Sequence, residues 1–200
     1  MRLPCDAALV VVDMQQAIDD PQWGRRNNPG AEAAVASLIA AWRAEKLPLV
    51  HVRRDSLEPN SPFAPGKAGH AFKACALPIE GERIVGRGAS SAFVGAGLED
   101  ELDALGVTTL VICGALTPNA VEATARHAGD LGYRVFVVAD ACFAVDKRDA
   151  RGRLWAAEDA HALSLANLSG EYAEIVDCAQ TLQASALANA RQRARGSRGR

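Results

Sequence analysis

The sequence is poor in what a metal centre, an oxidised fold or a membrane anchor would need. Its five cysteines (Cys5, Cys75, Cys113, Cys142 and Cys178) are odd in number and form no C-x-x-C pair. Without an export signal they read as reduced thiols in a cytoplasmic chain. The four histidines (His51, His70, His127, His161) offer no H-x-x-x-H or H-E-x-x-H spacing, so no metal is expected. No apolar run approaches the roughly eighteen residues of a membrane span, which speaks against a membrane partner. The N-terminal apolar stretch ends in Asp13 without a small-residue cleavage site and reads as a first strand, not a secretion signal. A net charge of −2 argues against a nucleic-acid partner. That balance is uneven: residues 191–200 carry five arginines and no acid, which leaves −7 on the rest.

What is present is a soluble, folded composition, 49% hydrophobic and 23% charged, in 200 residues. That is one domain, read as residues 1–185, followed by a basic and flexible tail, 186–200. Short β-branched runs alternate with Ala/Leu-rich stretches. Strands are predicted at 7–13, 47–54, 82–87, 108–114, 134–140 and 173–178. Helices are predicted at 30–45, 97–106, 117–132 and 153–168. The first helix carries Val35, Leu38, Ile39 and Trp42 on one stripe, and the third carries Val121, Ala125, Ala128 and Leu131. The proline- and glycine-rich stretch 55–82 has no period and reads as a long binding loop or lid. Strands that are apolar throughout need cover on both faces. The fold class is therefore α/β: a Rossmann-like three-layer αβα arrangement on a six-stranded parallel sheet with right-handed crossovers.

In such sheets chemistry gathers at the carboxyl ends of the strands. That rule selects Asp13, Arg53 to Asp55, Arg87, the turn from Gly114 to Ala120 and the turn from Asp140 to Phe143. The first β–α turn, DMQQAIDD, contains neither G-x-G-x-x-G nor a P-loop, so no nucleotide cradle and no organic cofactor is expected.

Three blocks, ALVVVDMQQAI, RGASSAFVGAGLEDEL and LVICGALTPNAVEATARHAGDLGYRVFVVADAC, resemble the signature blocks of the isochorismatase-like cysteine hydrolases, in order and at matching spacing. The resemblance spans roughly residues 7–180. It implies hydrolysis of a C–N bond, amide or ureido, in a small polar substrate, in a protein assembled as a dimer or tetramer. It also implies an Asp at the end of the first strand, a Lys four residues before Ser-Ala-Phe, and a Cys at a helix start. Asp13 fits the first requirement. Arg87 takes the Lys position, four before Ser91, and the register of Gly114, Thr117 and Val121 puts Ala120 where the nucleophile belongs. Proteins of this kind carry a cis peptide before the Leu116 position, so Ala115–Leu116 is expected to be cis.

Thr117 is read as the N-cap of the third helix, with Pro118 at N1 and Gly132 after its end. Ala120 would then sit in the first turn, where free N–H groups and the helix dipole favour negative charge. A Cys there would be acidified, with Asp13 to take its proton. The N–H groups of Leu116 and Ala120 would form an oxyanion hole. The alanine leaves two accounts: a nucleophile replaced by design, or natural divergence to another reaction. Without the thiol, the alternatives are an acid–base enzyme led by Asp13 (vinyl-ether cleavage, dehydration or isomerisation) and a catalytically silent binding protein. Trp23, Phe93, Asn119 and Phe143 are candidate substrate-binding residues, and Asn27, Asn28, Phe63 and Phe72 are further candidates for pocket walls. Cys113 reads as core, Cys142 as a remote substitute nucleophile, and His51 lies near the metal motif of metal-binding relatives but without its partners.

Overall fold

A computed structural model describes residues 3–196. Six parallel strands form one sheet: β1 (Ala8–Val12), β2 (Leu49–Arg54), β3 (Arg83–Arg87), β4 (Thr109–Ala115), β5 (Arg134–Phe143) and β8 (Glu174–Val176), in the order β3-β2-β1-β4-β5-β8. Helices α1 (Ala31–Ala44), α2 (Leu98–Ala104), α3 (Glu122–Asp130), α4 (Ala157–Leu168) and α5 (Cys178–Gly196) make the crossovers and cover the sheet. The two-residue strands β6 (Lys147–Arg148) and β7 (Leu154–Trp155) pair antiparallel as a separate hairpin. The predicted fold class is the one observed.

Every residue of β1 and β4 is buried, which is why their sequences show no polar alternation. The α1 stripe of Val35, Leu38, Ile39 and Trp42 packs into this core, and the Trp42 indole donates to the Ala7 carbonyl at 2.9 Å. Strand order then fixes the location of the site. The chain runs outward from β1 through β2 to β3, then returns to the other side of β1 as β4. Consecutive connections leave the sheet in opposite directions at β1/β4, opening a crevice at the carboxyl ends.

Gly114 lets β4 close on β1 at that point. Its φ is +119°, and a β-carbon there would lie 2.1 Å from the Val12 carbonyl oxygen. Gly114→Ala is expected to destabilise the protein by about 3 kcal/mol or more, because backbone rather than a flexible side chain would have to move. Urea denaturation measures this. A change within about 0.5 kcal/mol, the usual range for surface substitutions, would contradict it.

The far edge of the sheet is pinned by Glu82. It accepts from Arg43 (2.7 and 2.9 Å), from the Ile79 N–H (3.0 Å) and from His51 Nε2 (2.9 Å). Burial works to raise this carboxyl, but Arg43, the Ile79 N–H and His51 outweigh it and hold it at about 2. The unfolded chain therefore binds its proton first. Stability from this group is complete above about 4.5 and is lost as the pH falls toward about 2. In Glu82→Gln we expect a loss of roughly 2–3 kcal/mol at pH 7 and a shallower acid limb. Denaturation midpoints across that window check it, and an unchanged limb would refute it.

Several sequence expectations are corrected. The helix predicted from 117 begins as a π turn, Thr117–Val121, before α3. Thr117 does not cap it: its hydroxyl pairs with His161 Nδ1 at 2.8 Å, and the Leu116 carbonyl takes the N–H groups of both Asn119 and Val121. Leu131 is 41% exposed and off the core stripe. The helix predicted from 153 starts at Ala157, because Asp149 gathers the N–H groups of Arg151 and Arg153 and the Trp155 indole into the hairpin. Helix α5 runs from Cys178 to Gly196, across position 185, where the domain is read to end and the tail to begin. The rest of that tail, 197–200, lies outside the described residues. Among the described residues no helix is long and apolar enough to cross a membrane.

Candidate active site

The crevice at the β1/β4 switch holds a cavity of about 430 Å³. Asp13, Arg54 and Arg87 line it at the strand ends, Leu116, Asn119 and Ala120 at the π turn, and Ser61, Pro62 and Phe63 from the long loop. Ile18, Gln22 and Trp23 close the side above β1.

Asp13 follows β1 with φ +49°, a left-handed conformation that Asp tolerates better than most side chains. The carboxylate is nearly sealed from solvent, as is Arg87, with side-chain exposures of 5% and 3%. Arg87 ends β3, two strands away, and its long side chain spans β2. Its Nε donates to Asp13 Oδ1 at 2.9 Å and its Nη2 to Asp13 Oδ2; its Nη1 donates to the Ala89 carbonyl. Burial raises the Asp13 carboxyl above its ordinary range, while the hydrogen bonds and charge of Arg87, and more weakly the charge of Arg54, pull it down. The net direction is upward, so the group is poised to hold and release a proton.

Ala120 presents a methyl group to the same cavity, and the Ala115–Leu116 peptide is cis. Around this turn, Asn119 Oδ1 accepts from Lys147 Nζ at 2.5 Å. Beneath it, Ser164 donates to the Thr117 carbonyl at 3.1 Å and to Glu122 at 2.6 Å. His161 also contacts Asn28 Nδ2 at 3.5 Å through Nε2. Burial lowers the His161 pKa and so favours its neutral form.

Of the sequence-predicted residues, Asp13, Arg87, Leu116, Ala120, Trp23 and Asn119 converge on the cavity, joined by Phe63. The others lie elsewhere. Phe143 is wholly buried under the Arg26 guanidinium, 4.0 Å from its ring centroid. Phe93 stacks on His127 (5.3 Å) and Tyr133 (5.8 Å). Asn27 accepts from the Ala144 N–H and Asn28 donates to the Ala139 and Cys142 carbonyls, so both fasten a loop to the end of β5. Phe72 packs edge-on against His51. Burial pushes the Cys142 thiol up to about 12, and Cys142 does not line the cavity. Cys113 is core.

His51 is wholly buried against Glu82, with burial lowering its pKa, and its Nδ1 has no hydrogen-bond partner among the described residues. Among the described residues no group of three or more His, Cys, Asp or Glu side chains is arranged to hold a metal ion.

Sequence reading selected Arg54 within the strand-end range but did not single out Gln15, Gln22 or Ser61. Ser61 carried no signal, because the loop that delivers it has no period.

Comparison with known proteins bears on the family and the fold. The Isochorismatase domain model matches residues 7–180. The chain is 35% identical over 175 residues to the isochorismatase family protein YrdC of Bacillus subtilis, covering 88% of this chain and 94% of that one. It is 35% identical over 137 residues to streptothricin hydrolase of Streptomyces noursei, covering 67% of this chain and 48% of that one, about half its length. The crystal structure of an isochorismatase-family protein from Chromobacterium violaceum superposes with a TM-score of 0.90 at 49% identity, covering 93% of this chain and 97% of that one. A family match over most of the chain leads to one conclusion: this chain belongs to the isochorismatase family of hydrolases.

Proposed function

We propose that this chain hydrolyses a small polar molecule with Asp13 as the proton-transferring group and water, not a side chain, as the nucleophile. The observation that carries the reading is the pairing, in one cavity, of a buried carboxyl held by the Arg87 guanidinium with a methyl group at position 120. The named activity of a relative, streptothricin hydrolase, supports hydrolysis in general, and amide or ureido C–N bonds are the family-level expectation. Here that route has no covalent form. Acid–base assistance alone supplies roughly 10²–10⁴ in rate, too little for an inert amide.

An acid-labile bond such as a vinyl ether suits the site better. Asp13 gives its proton to the β-carbon of the vinyl ether, and water adds to the resulting oxocarbenium ion and returns a proton to Asp13. The hemiketal then breaks its C–O bond, its hydroxyl proton passing to the departing oxygen, to release an alcohol and a carbonyl compound. Arg87 tunes that carboxyl and fixes its orientation. The N–H groups of Leu116 and Ala120, at the start of the π turn, are the donors we assign to negative charge developing on the departing atom. Trp23 and Asn119 are the flanking substrate contacts in this reading. We further read the protein as a homo-oligomer: Leu163 of α4, 61% exposed, and Trp155 of the hairpin line one open pocket that offers apolar surface to a second copy.

Wild type and Asp13→Asn assayed on parallel panels of vinyl ethers and amides test the proposal. Turnover of acid-labile substrates that disappears in Asp13→Asn supports it. Turnover that survives refutes it, and binding without turnover in either protein points to a catalytically silent binding protein.

A further inference from the structure

The charges lining the cavity do not cancel. Asp13 is fully engaged by Arg87, which leaves Arg54 as a second cation on the same wall. Its neighbour Arg53 points to the opposite face, as strand geometry requires, and pairs with Asp55 at 2.9 Å beside Phe72. Asp55 also takes His70 Nε2 at 2.6 Å, so the carboxylate nearest in sequence is occupied twice over. No carboxylate among the described residues pairs with Arg54.

The backbone of Arg54 is held firmly. The wholly buried Gln15 side chain accepts from the Arg54 N–H at 2.8 Å, donates to its carbonyl at 3.2 Å and donates to the His70 carbonyl at 2.9 Å. Gln15 thus ties β2 and the long loop to the turn that carries Asp13. A guanidinium rooted in a fixed backbone, facing a cavity and free of an internal counter-ion, is a preorganised site for a planar anion. Trp23 and Phe63, with ring centroids 6.3 Å apart, line the same cavity beside Pro62 and Ile18. The cavity therefore offers both a cation for a carboxylate and apolar surface for a compact body.

We infer that the natural substrate is a small carboxylate whose anionic group is bound by Arg54 while its reacting bond lies at Asp13. The inference rests on the reaction occurring in this cavity, but it concerns binding and can be tested without turnover.

Isothermal titration of the full chain with two matched pairs, benzoate against benzamide and cyclohexanecarboxylate against its primary amide, provides the test. Wild type is expected to bind each acid at least about 10-fold more tightly than its amide. Arg54→Gln should weaken acid binding by about 10- to 100-fold, the range of one charge-assisted hydrogen-bonded contact, with amide binding unchanged. Arg54→Lys should recover part of the loss, since it keeps the charge but not the fork. The main-chain bonds to Gln15 remain in both variants, and equal thermal midpoints would show that the fold is retained. Amides binding as tightly as acids, acids binding Arg54→Gln as they bind wild type, or no binding by any probe would each overturn the inference. Asp13→Asn separates this from the catalytic reading: it should lower turnover by roughly 10²–10⁴-fold yet keep the acid preference, which Arg54 supplies. Turnover surviving in Asp13→Asn would remove the mechanism and leave the Arg54 result standing.

Discussion

Asp13→Asn is expected to lower kcat/KM by roughly 10²–10⁴-fold on whatever bond the wild type cleaves, the share that a positioned acid–base group supplies. The substitution keeps the shape of the side chain and removes only its capacity to carry the proton. It also leaves Arg87 buried without its counter-ion, and Arg cannot shed its charge. A stability loss of about 3–5 kcal/mol should accompany the kinetic one, so activity must be normalised to the folded fraction. Arg87→Gln should cost less stability, because the carboxyl it strands can take up a proton.

The two variants should also part in their pH dependence. Arg87 pulls the Asp13 carboxyl down. Removing Arg87 lets that carboxyl rise further, so the loss of activity with increasing pH, as the acid ionises, should move upward in Arg87→Gln. A pH–rate profile identical to wild type would mean that another group moves the proton.

Ala120→Cys should produce the second large effect, a gain. The new thiol would stand in a cavity, at a helix start, near a buried carboxylate that can take its proton. It should be alkylated by iodoacetamide well before Cys113 or Cys142, whose thiols burial pushes up. Removing a nucleophile from a cooperating triad costs about 10⁴–10⁶ in rate, so restoring one in an imperfect setting should raise amide hydrolysis by about 10²-fold or more. A covalent acyl adduct should be visible by mass spectrometry. A variant thiol that resists alkylation, or that forms no adduct on any amide of the panel, would show that position 120 is not where a bond is attacked.

The site was partly legible because its ends are strand ends. A continuous apolar run stopping at an acid announces both a doubly covered strand and a group at its carboxyl edge, which is how Asp13 and Arg87 could be picked out. The Gly114 to Ala120 turn was legible as punctuation, though not in its form. A threonine before a proline reads as a cap, yet Thr117 found a better partner in His161, forty-four residues on, and the turn widened. Phe143 and Phe93 were misplaced for a related reason. Residue type says that an aromatic ring will be buried, but not whether a pocket or the core buries it. The basic composition of the C-terminus suggested a loose end, while α5 runs through the expected boundary.

By itself the sequence determined the layered parallel fold, the edge of the sheet where chemistry gathers, and the methyl group where a sulfur would be needed. Those properties follow from local pattern, since period, strand length and residue identity are written in order along the chain. The tertiary structure decided which charges are spent on one another and which remain. Asp13 closes with Arg87 across an intervening strand, Asp55 is claimed by Arg53 and His70, and Arg54 is left facing the cavity. Such pairings depend on distances between residues tens of positions apart, and only the folded packing sets those distances.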